Sequence, residues 1–232
     1  MTSQLPLAFN ATYQATLQDF NWQQNTLLQQ QLIQALDNQS ERLFYLWGPS
    51  GSGKSHILQA CCQYLSEFNQ TSIYLPLKLL TDCSPHVLEE LEQQNLVAID
   101  DIEAIALDRV WEEGLFHLYN RIKENDRTLL IVSGHNPPNL LPLKLADLRS
   151  RLSWGLVCQI KSLNDEAKID VLQQKAHKKG LILTHAAALF LINRSPRDMG
   201  ALVQLLDKLD AASLVAKRRI TIPFIKDILG WR

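Results

Sequence analysis

Eight consecutive residues, Gly48-Pro49-Ser50-Gly51-Ser52-Gly53-Lys54-Ser55, constrain this chain more than any other stretch. They satisfy G-x-x-x-x-G-K-[ST] at every fixed position. The glycines let backbone N–H groups turn inward around a β-phosphate, Lys54 reaches the β and γ oxygens, and Ser55 offers its hydroxyl to Mg²⁺. The flanks suit such a loop. Leu43 to Trp47 is an apolar run of strand length, and Ser55 to Cys62 has a helical pattern whose N-terminus adds its dipole behind the phosphates. His56, in the first helical turn, is grouped with the loop as nucleotide-binding. The expected ligand is a nucleoside di- or triphosphate, ADP or ATP with Mg²⁺, and the base stays open because the loop reads phosphates.

A loop of this kind needs a parallel sheet behind it, and the following residues alternate strand with helix. Ser72 to Leu75 reads as a second strand and Pro85 to Gln93 as a helix with Pro85 in its first turn. Leu96-Val97-Ala98-Ile99-Asp100-Asp101 is a buried strand ending in two carboxylates, 46 residues beyond Lys54. Alone it would be an ordinary strand running into an acidic loop. Behind a phosphate loop it has the Walker B form, in which Asp100 stands beside Mg²⁺ and Asp101 orients the attacking water. Trp111 to Lys123 is an amphipathic helix, and Leu129 to Ser133 is apolar enough for the middle of a parallel sheet. His135 and Asn136 follow at the carboxyl end of that strand, where ligands meet such sheets; a γ-phosphate sensor and plain surface are both open readings. A helix from Leu143 to Leu152 carries Arg149 and Arg151, and Gly155 to Ile160 is the last strand.

Beyond Lys161 to Leu163 the pattern becomes wholly helical. Asn164-Asp165-Glu166 resembles a capped start, and a short helix near Phe224 to Leu229 closes the chain. Within this region Ser195 is read as an N-cap, Pro196 as the first helical residue and Arg197 as fixed in the first turn. A cation is poorly placed there for the helix dipole, which is most simply explained if Arg197 faces bound phosphates. Residues 1–10 differ from all that follows. Leu5, Leu7 and Phe9 are apolar around a helix-discouraging Pro6, so a docking peptide and a tail folded onto its own domain are both open from these residues alone. From Asn21 to Leu36 a glutamine-rich helix is expected with Leu27, Leu28, Gln31, Leu32 and Ala35 at helical spacing on its inner side, and Phe20-Asn21-Trp22 near the mouth of the phosphate loop.

Composition excludes several classes. No stretch approaches 18 uninterrupted apolar residues and the N-terminus lacks a signal core, so a cytoplasmic protein with no membrane partner is expected. The four cysteines, Cys61, Cys62, Cys83 and Cys158, have neither metal nor redox spacing. A net charge of −1 leaves no overall field for gripping DNA, so any DNA contact is indirect or weak. Two basic clusters, Lys175 with Lys178 and Lys179, and Lys217 to Arg219, fall at helix ends and are read first as cations offsetting the dipole.

The phosphate loop, the Asp-Asp Walker B, the strand-end sensor, the Leu148-Arg149-Ser150-Arg151-Leu152-Ser153-Trp154-Gly155 segment and the lid with Arg197 together resemble the AAA+ module of the bacterial replication initiator DnaA. The resemblance runs from about residue 11 to 232. It implies a five-stranded parallel αβα sandwich of order 5-1-4-3-2 followed by a small all-helical lid. The domains expected are a tail over 1–10, a nucleotide-binding domain over 11–161 and a lid over 162–232. It further implies that Arg151 is an arginine finger and Arg197 the lid's sensor arginine. His135-Asn136-Pro137 stands where the family usually has Asp-Arg-Pro, so hydrolysis through that sensor is not carried over.

A module of this type without a following helix-turn-helix region, and with Gln4-Leu5-Pro6-Leu7-Ala8-Phe9 at its start, is similar to the Hda branch of the family, the regulatory inactivators of DnaA. That branch implies two partners. Gln4, Leu5, Leu7 and Phe9 would dock on the β sliding clamp of DNA polymerase III, and Arg151 would act on the AAA+ domain of DnaA. Self-association through the finger and nucleotide faces is also expected of AAA+ modules. Rival readings are a P-loop kinase for a small molecule, or another DnaA-related adaptor or loader component.

Overall fold

The structure, a computed structural model, describes residues 15–37, 41–196 and 198–231. Gln4, Leu5, Leu7, Phe9 and Arg197 lie outside the described residues. Five strands form one sheet: β1 (Leu43–Trp47), β2 (Ser72–Pro76), β3 (Leu96–Asp100), β4 (Leu129–Gly134) and β5 (Leu156–Gln159). Their order is β2-β3-β4-β1-β5 and every pairing is parallel, which is the order 5-1-4-3-2 read from the other edge.

The sheet is doubly covered, and the apolar runs show why. Every residue of β3 and β4 is buried, as central parallel strands require when helices cover both faces. Alternate side chains go to opposite faces. Tyr45, Val97, Ile99, Leu130 and Val132 pack with α3 (Arg109–Asn125) and α4 (Ala146–Leu152). Phe44, Leu46, Ala98, Leu129 and Ile131 pack with α1 (Thr26–Leu36) and α2 (Lys54–Glu67). Helix α1 starts at Thr26 and buries Leu28, Leu32, Ala35 and Leu36. Leu27, expected inward, is 66% exposed because it stands beside that stripe rather than on it.

The helix expected over Pro85 to Gln93 is instead two one-turn 3₁₀ helices, Pro85–Leu88 and Leu91–Gln93. Glu90 between them has φ 61°, a left-handed conformation that interrupts helical bonding, while Leu88 and Leu91 anchor each turn in the core. Helix α4 likewise begins at Ala146 and not at Leu143. The buried carboxylate of Glu112 on α3 accepts the N–H groups of Lys144 and Leu145 at 3.2 and 2.7 Å, together with that of Leu107 at 2.9 Å. Those amides are taken by α3, so the chain crosses it as a strap before α4 can start.

Helices α5 (Asp165–Lys178), α6 (His185–Arg194), α7 (Met199–Ala216) and α8 (Ile222–Leu229) enclose a second core that includes Ile169, Leu172, Leu191, Leu206 and Phe224. Asn164 caps α5 as expected, accepting from the Ala167 N–H at 2.8 Å. Ser195 does not cap α7. It ends α6 and donates its hydroxyl to the Leu191 carbonyl at 2.7 Å, and Asp198 caps α7 by accepting from the Ala201 N–H at 2.9 Å. A carboxylate adds a favourable charge to the same cap, so it displaces the serine in that role. Helix α7 therefore begins two residues after position 197, and the dipole argument for an arginine in its first turn lapses. The lid meets the sheet domain where Ser50 donates to Asp198 at 3.4 Å and where Lys178 pairs with Asp19. Among the described residues no helix is long and apolar enough to cross a membrane.

Candidate functional site

Ser50 through His56 line a cavity of about 410 Å³ at the carboxyl edge of the sheet, beneath the lid. That volume is in the range of small-molecule sites. Phe20 and Asn21 line it as expected, whereas Trp22 packs in the core with its indole N–H donated to the Leu17 carbonyl at 2.7 Å, and α7 contributes Met199, Gly200 and Val203. Gly51 and Gly53 have φ of 71° and 97°, left-handed values open to glycine. A Cβ on Gly51 would strike the Asp198 carboxylate, and one on Gly53 would stand 2.5 Å from the Phe20 ring. The Ser52 hydroxyl is buried without a partner among the described residues. Left-handed glycines, an unpaired buried hydroxyl and a buried ammonium on one loop are the donors a phosphate takes, so the cradle fits a nucleotide's phosphates.

Gly48 and Pro49 form the back of the loop. Their carbonyls accept from the Lys54 ammonium at 2.8 and 3.0 Å. Burial pushes that ammonium below the ordinary lysine value and nearby Lys78 pushes the same way, while Asp101, Asp100 and Glu103 pull it back. His56 lines the cavity with its imidazole held by the Thr16 carbonyl at 3.0 Å, and burial lowers its pKa.

The two Walker carboxylates are placed differently. Asp101 lines the cavity, with one oxygen 2.9 Å from the Lys78 ammonium and the other 3.8 Å from His135 Nε2. Asp100 lies one layer beneath, 2% exposed, accepting from the Tyr74 hydroxyl at 2.7 Å and from the Ser133 hydroxyl. Ser55 lies close enough to the Tyr74 hydroxyl to influence it, so the two residues expected at Mg²⁺ flank one phenol. Among the described residues no group of three or more His, Cys, Asp or Glu side chains is placed to hold a metal. A magnesium ion here therefore fits only with nucleotide oxygens completing the set around Ser55 and Asp100.

His135 Nδ1 is 3.5 Å from Lys54 Nζ, which brings the strand-end histidine to the phosphate lysine. Glu103 holds that loop by accepting from the His135 and Asn136 N–H groups at 2.5 and 3.2 Å, and Tyr45 donates to the Asn136 carbonyl at 2.8 Å. Tyr74, Ser133, Glu103 and Lys78 were not singled out by sequence. Ser133 carries the one visible signal, a hydroxyl at the end of an otherwise apolar strand.

Arg151 is not among the cavity-lining residues. It lies in the last turn of α4 with its guanidinium over Trp154, beside Phe116 and Tyr119. Arg149 sits on the same short helix, and its carbonyl accepts from Ser153 at 3.1 Å.

A phosphate loop at the sheet's switch point, an Asp-Asp strand end and a helical lid over both define an AAA+ P-loop module. The bacterial DnaA ATPase domain family matches residues 16–159, and the Hda lid domain matches residues 165–229. The chain belongs to this DnaA-related AAA+ family, with a lid of the Hda type. An uncharacterised protein of Haemophilus influenzae is 44% identical over 230 residues, spanning 99% of this chain and 100% of that one. Domain III of the Thermotoga maritima replication initiation protein DnaA superposes with TM-score 0.79 at 17% identity, covering 93% of this chain and 95% of that chain. AMPPCP-bound DnaA from Aquifex aeolicus gives TM-score 0.69 at 19% identity, covering 88% and 68%. These two solved structures share the fold.

Proposed function

We propose that this chain is a nucleotide-bound negative regulator of replication initiation that docks on the DNA-loaded β sliding clamp and stimulates ATP hydrolysis by DnaA. The observation that carries the reading is the position of Arg151. Its guanidinium lies outside the chain's own nucleotide cavity, on the segment that leads into the edge strand β5. From there it acts on a neighbour's nucleotide. Phosphoryl transfer to water concentrates charge on the γ-phosphate oxygens, and a guanidinium inserted from outside stabilises it, an effect of roughly 10³ to 10⁵ in rate for P-loop enzymes.

In its own cavity the chain holds ADP or ATP. The loop from Gly48 to Ser55 cradles the phosphates, with Lys54 on the β and γ oxygens and with His56 and Arg197 as further nucleotide-binding residues. Ser55 and Asp100 would hold a nucleotide-bound Mg²⁺, which would neutralise part of the phosphate charge. Asp101 would orient a water there, yet its salt bridge to Lys78 and the histidine at the sensor position favour a nucleotide kept for structure, joining 11–161 to the lid at 162–232. The tail over 1–10 serves as clamp ligand, with Leu5, Leu7 and Phe9 as apolar anchors and Gln4 as the polar contact. DNA contact is then indirect, through the clamp, or weak.

The test is a reconstitution with ATP-loaded DnaA, clamp-loaded DNA and this protein, scored for released phosphate. Release should need all three. Leu7→Ala with Phe9→Ala should abolish stimulation by removing clamp capture, since central apolar anchors cost about 2 kcal/mol or more each on truncation. Phosphate release that ignores DnaA would instead make the chain an ATPase in its own right.

A further inference from the structure

Lys78 was absent from the expected site, yet it stands within it. It sits in the one-turn helix Leu77–Leu79 directly after β2 and lines the nucleotide cavity. The β2–β3 register pairs Pro76 with Asp100, so the turn that follows brings Lys78 to Asp101, 2.9 Å away. Asp101's side chain is only 18% exposed, whereas that of Lys78 is 56% exposed. Lys78 also opposes the charge on Lys54, so two ammonium groups converge on one pocket. Like charges brought together around a cavity repel one another until an anion enters between them.

From this arrangement we propose that Lys78 reads the third phosphate of a bound nucleotide and sets the preference of this site between triphosphate and diphosphate. The inference rests on the nucleotide reading above. The loop and Lys54 already meet the needs of a diphosphate. A third phosphate adds charge near Asp101, whose carboxylate repels it. Lys78 adds to Lys54 the charge that offsets that repulsion. Its present bond can be surrendered, because an ion pair with one well-exposed partner contributes little. The flexible lysine stem allows the ammonium to swing from carboxylate to phosphate, where it makes a stronger charge-assisted bond. In the diphosphate state the same ammonium rests on Asp101 and keeps the carboxylate from acting on water.

Displacement of a fluorescent ADP analogue by ADP and by AMPPCP, both with Mg²⁺, tests this without relying on turnover. Lys78→Ala should weaken AMPPCP by about tenfold, the size of one charge-assisted hydrogen bond, and change ADP by less than about twofold. Lys78→Arg should restore most of the AMPPCP affinity. An equal change for both nucleotides, no change, or tighter AMPPCP binding in Lys78→Ala would overturn the proposal while leaving the nucleotide reading intact. Failure of the wild-type chain to bind either nucleotide would overturn both, and Lys54→Ala, expected to lose both ligands, marks that outcome.

Discussion

The guanidinium of Arg151 lies 4.3 Å from the centre of the Trp154 ring, with Phe116 at 5.9 Å and Tyr119 at 6.0 Å on its flank. The end of α4 builds this stack, because the Trp154 N–H donates to the Arg151 carbonyl at 3.0 Å and the turn brings the two side chains together. Tyr119's hydroxyl is buried with no hydrogen-bond partner among the described residues, and the Arg151 charge reaches it. An exposed cation–π contact contributes about 0.5–1 kcal/mol, enough to bias where the guanidinium rests and too little to lock it. Trp154→Ala should therefore lower the maximal rate of phosphate release that this chain stimulates from DnaA by about two- to fivefold. Trp154→Phe should keep most of that rate, and an unchanged maximal rate in Trp154→Ala would remove the stack from the mechanism.

Nucleotide binding should stabilise the chain by mass action, since the cavity takes residues from both the sheet domain and the lid. At a nucleotide concentration of 100 times Kd the gain is about 2.7 kcal/mol. For a chain of this size that raises Tm by on the order of 5–10 °C. Lys54→Ala should abolish the rise. Thermal melts with and without ADP and Mg²⁺ check it, and an equal rise in Lys54→Ala would mean that the stabilising ligand binds elsewhere.

Much of this site was legible because its parts are local in sequence. The loop fixes its own chemistry in eight residues, and β3 and β4 announce themselves as apolar runs ending in Asp100 and Ser133. What escaped is what register creates. Nothing in the sequence joins Lys78 to Asp101, Tyr74 to Asp100 or Glu103 to the amide of His135; parallel pairing of β2, β3 and β4 does. Glu112 escaped for a related reason. A glutamate on an amphipathic helix reads as surface, and only the strap before α4 makes it a buried acceptor for backbone amides. Ser195 misled because Ser-Pro is a good helix start in isolation, whereas Asp198 three residues on is a better cap. The lysine cluster at the end of α5 is partly explained by pairing, with Lys179 bridging Asp207 and Asp210 at 3.0 and 3.6 Å and Lys178 reaching Asp19.

Lys175, the remaining lysine of that cluster, lines the cavity, and burial lowers its pKa to about 8, with Lys178 and Lys179 pushing the same way and Asp207 opposing. The unfolded chain keeps this proton up to the ordinary lysine value of 10.5. Between those values the unfolded state binds more protons than the folded one, so this group makes stability rise with pH from about 8 to 10.5. Below that window the charged form costs stability in full. Lys175→Met should accordingly raise Tm at pH 7 and flatten the rise at higher pH. Melting curves across pH 7 to 11 measure both, and an unflattened profile would show that another group produces the slope.

Arg151 and Arg149 stand two residues apart on one seven-residue helix, which makes them each other's control. Arg151 is not among the residues lining the chain's own cavity, so Arg151→Ala should retain nucleotide affinity and the ADP-dependent rise in Tm. It should also retain clamp capture and association with DnaA. The loss should appear only in stimulated hydrolysis, and it should be large, about 10³-fold or more, because the developing charge on the neighbour's γ-phosphate is left without its cation. Arg151→Lys should recover little, since an ammonium lacks the planar fork that bonds two oxygens at once. Arg149→Ala gives the contrast, with a loss well under tenfold expected of a residue that acts through surface charge alone. Phosphate release measured in the reconstituted system separates these cases. A near-normal rate for Arg151→Ala would refute action in trans and move attention to Asp101 and the chain's own nucleotide.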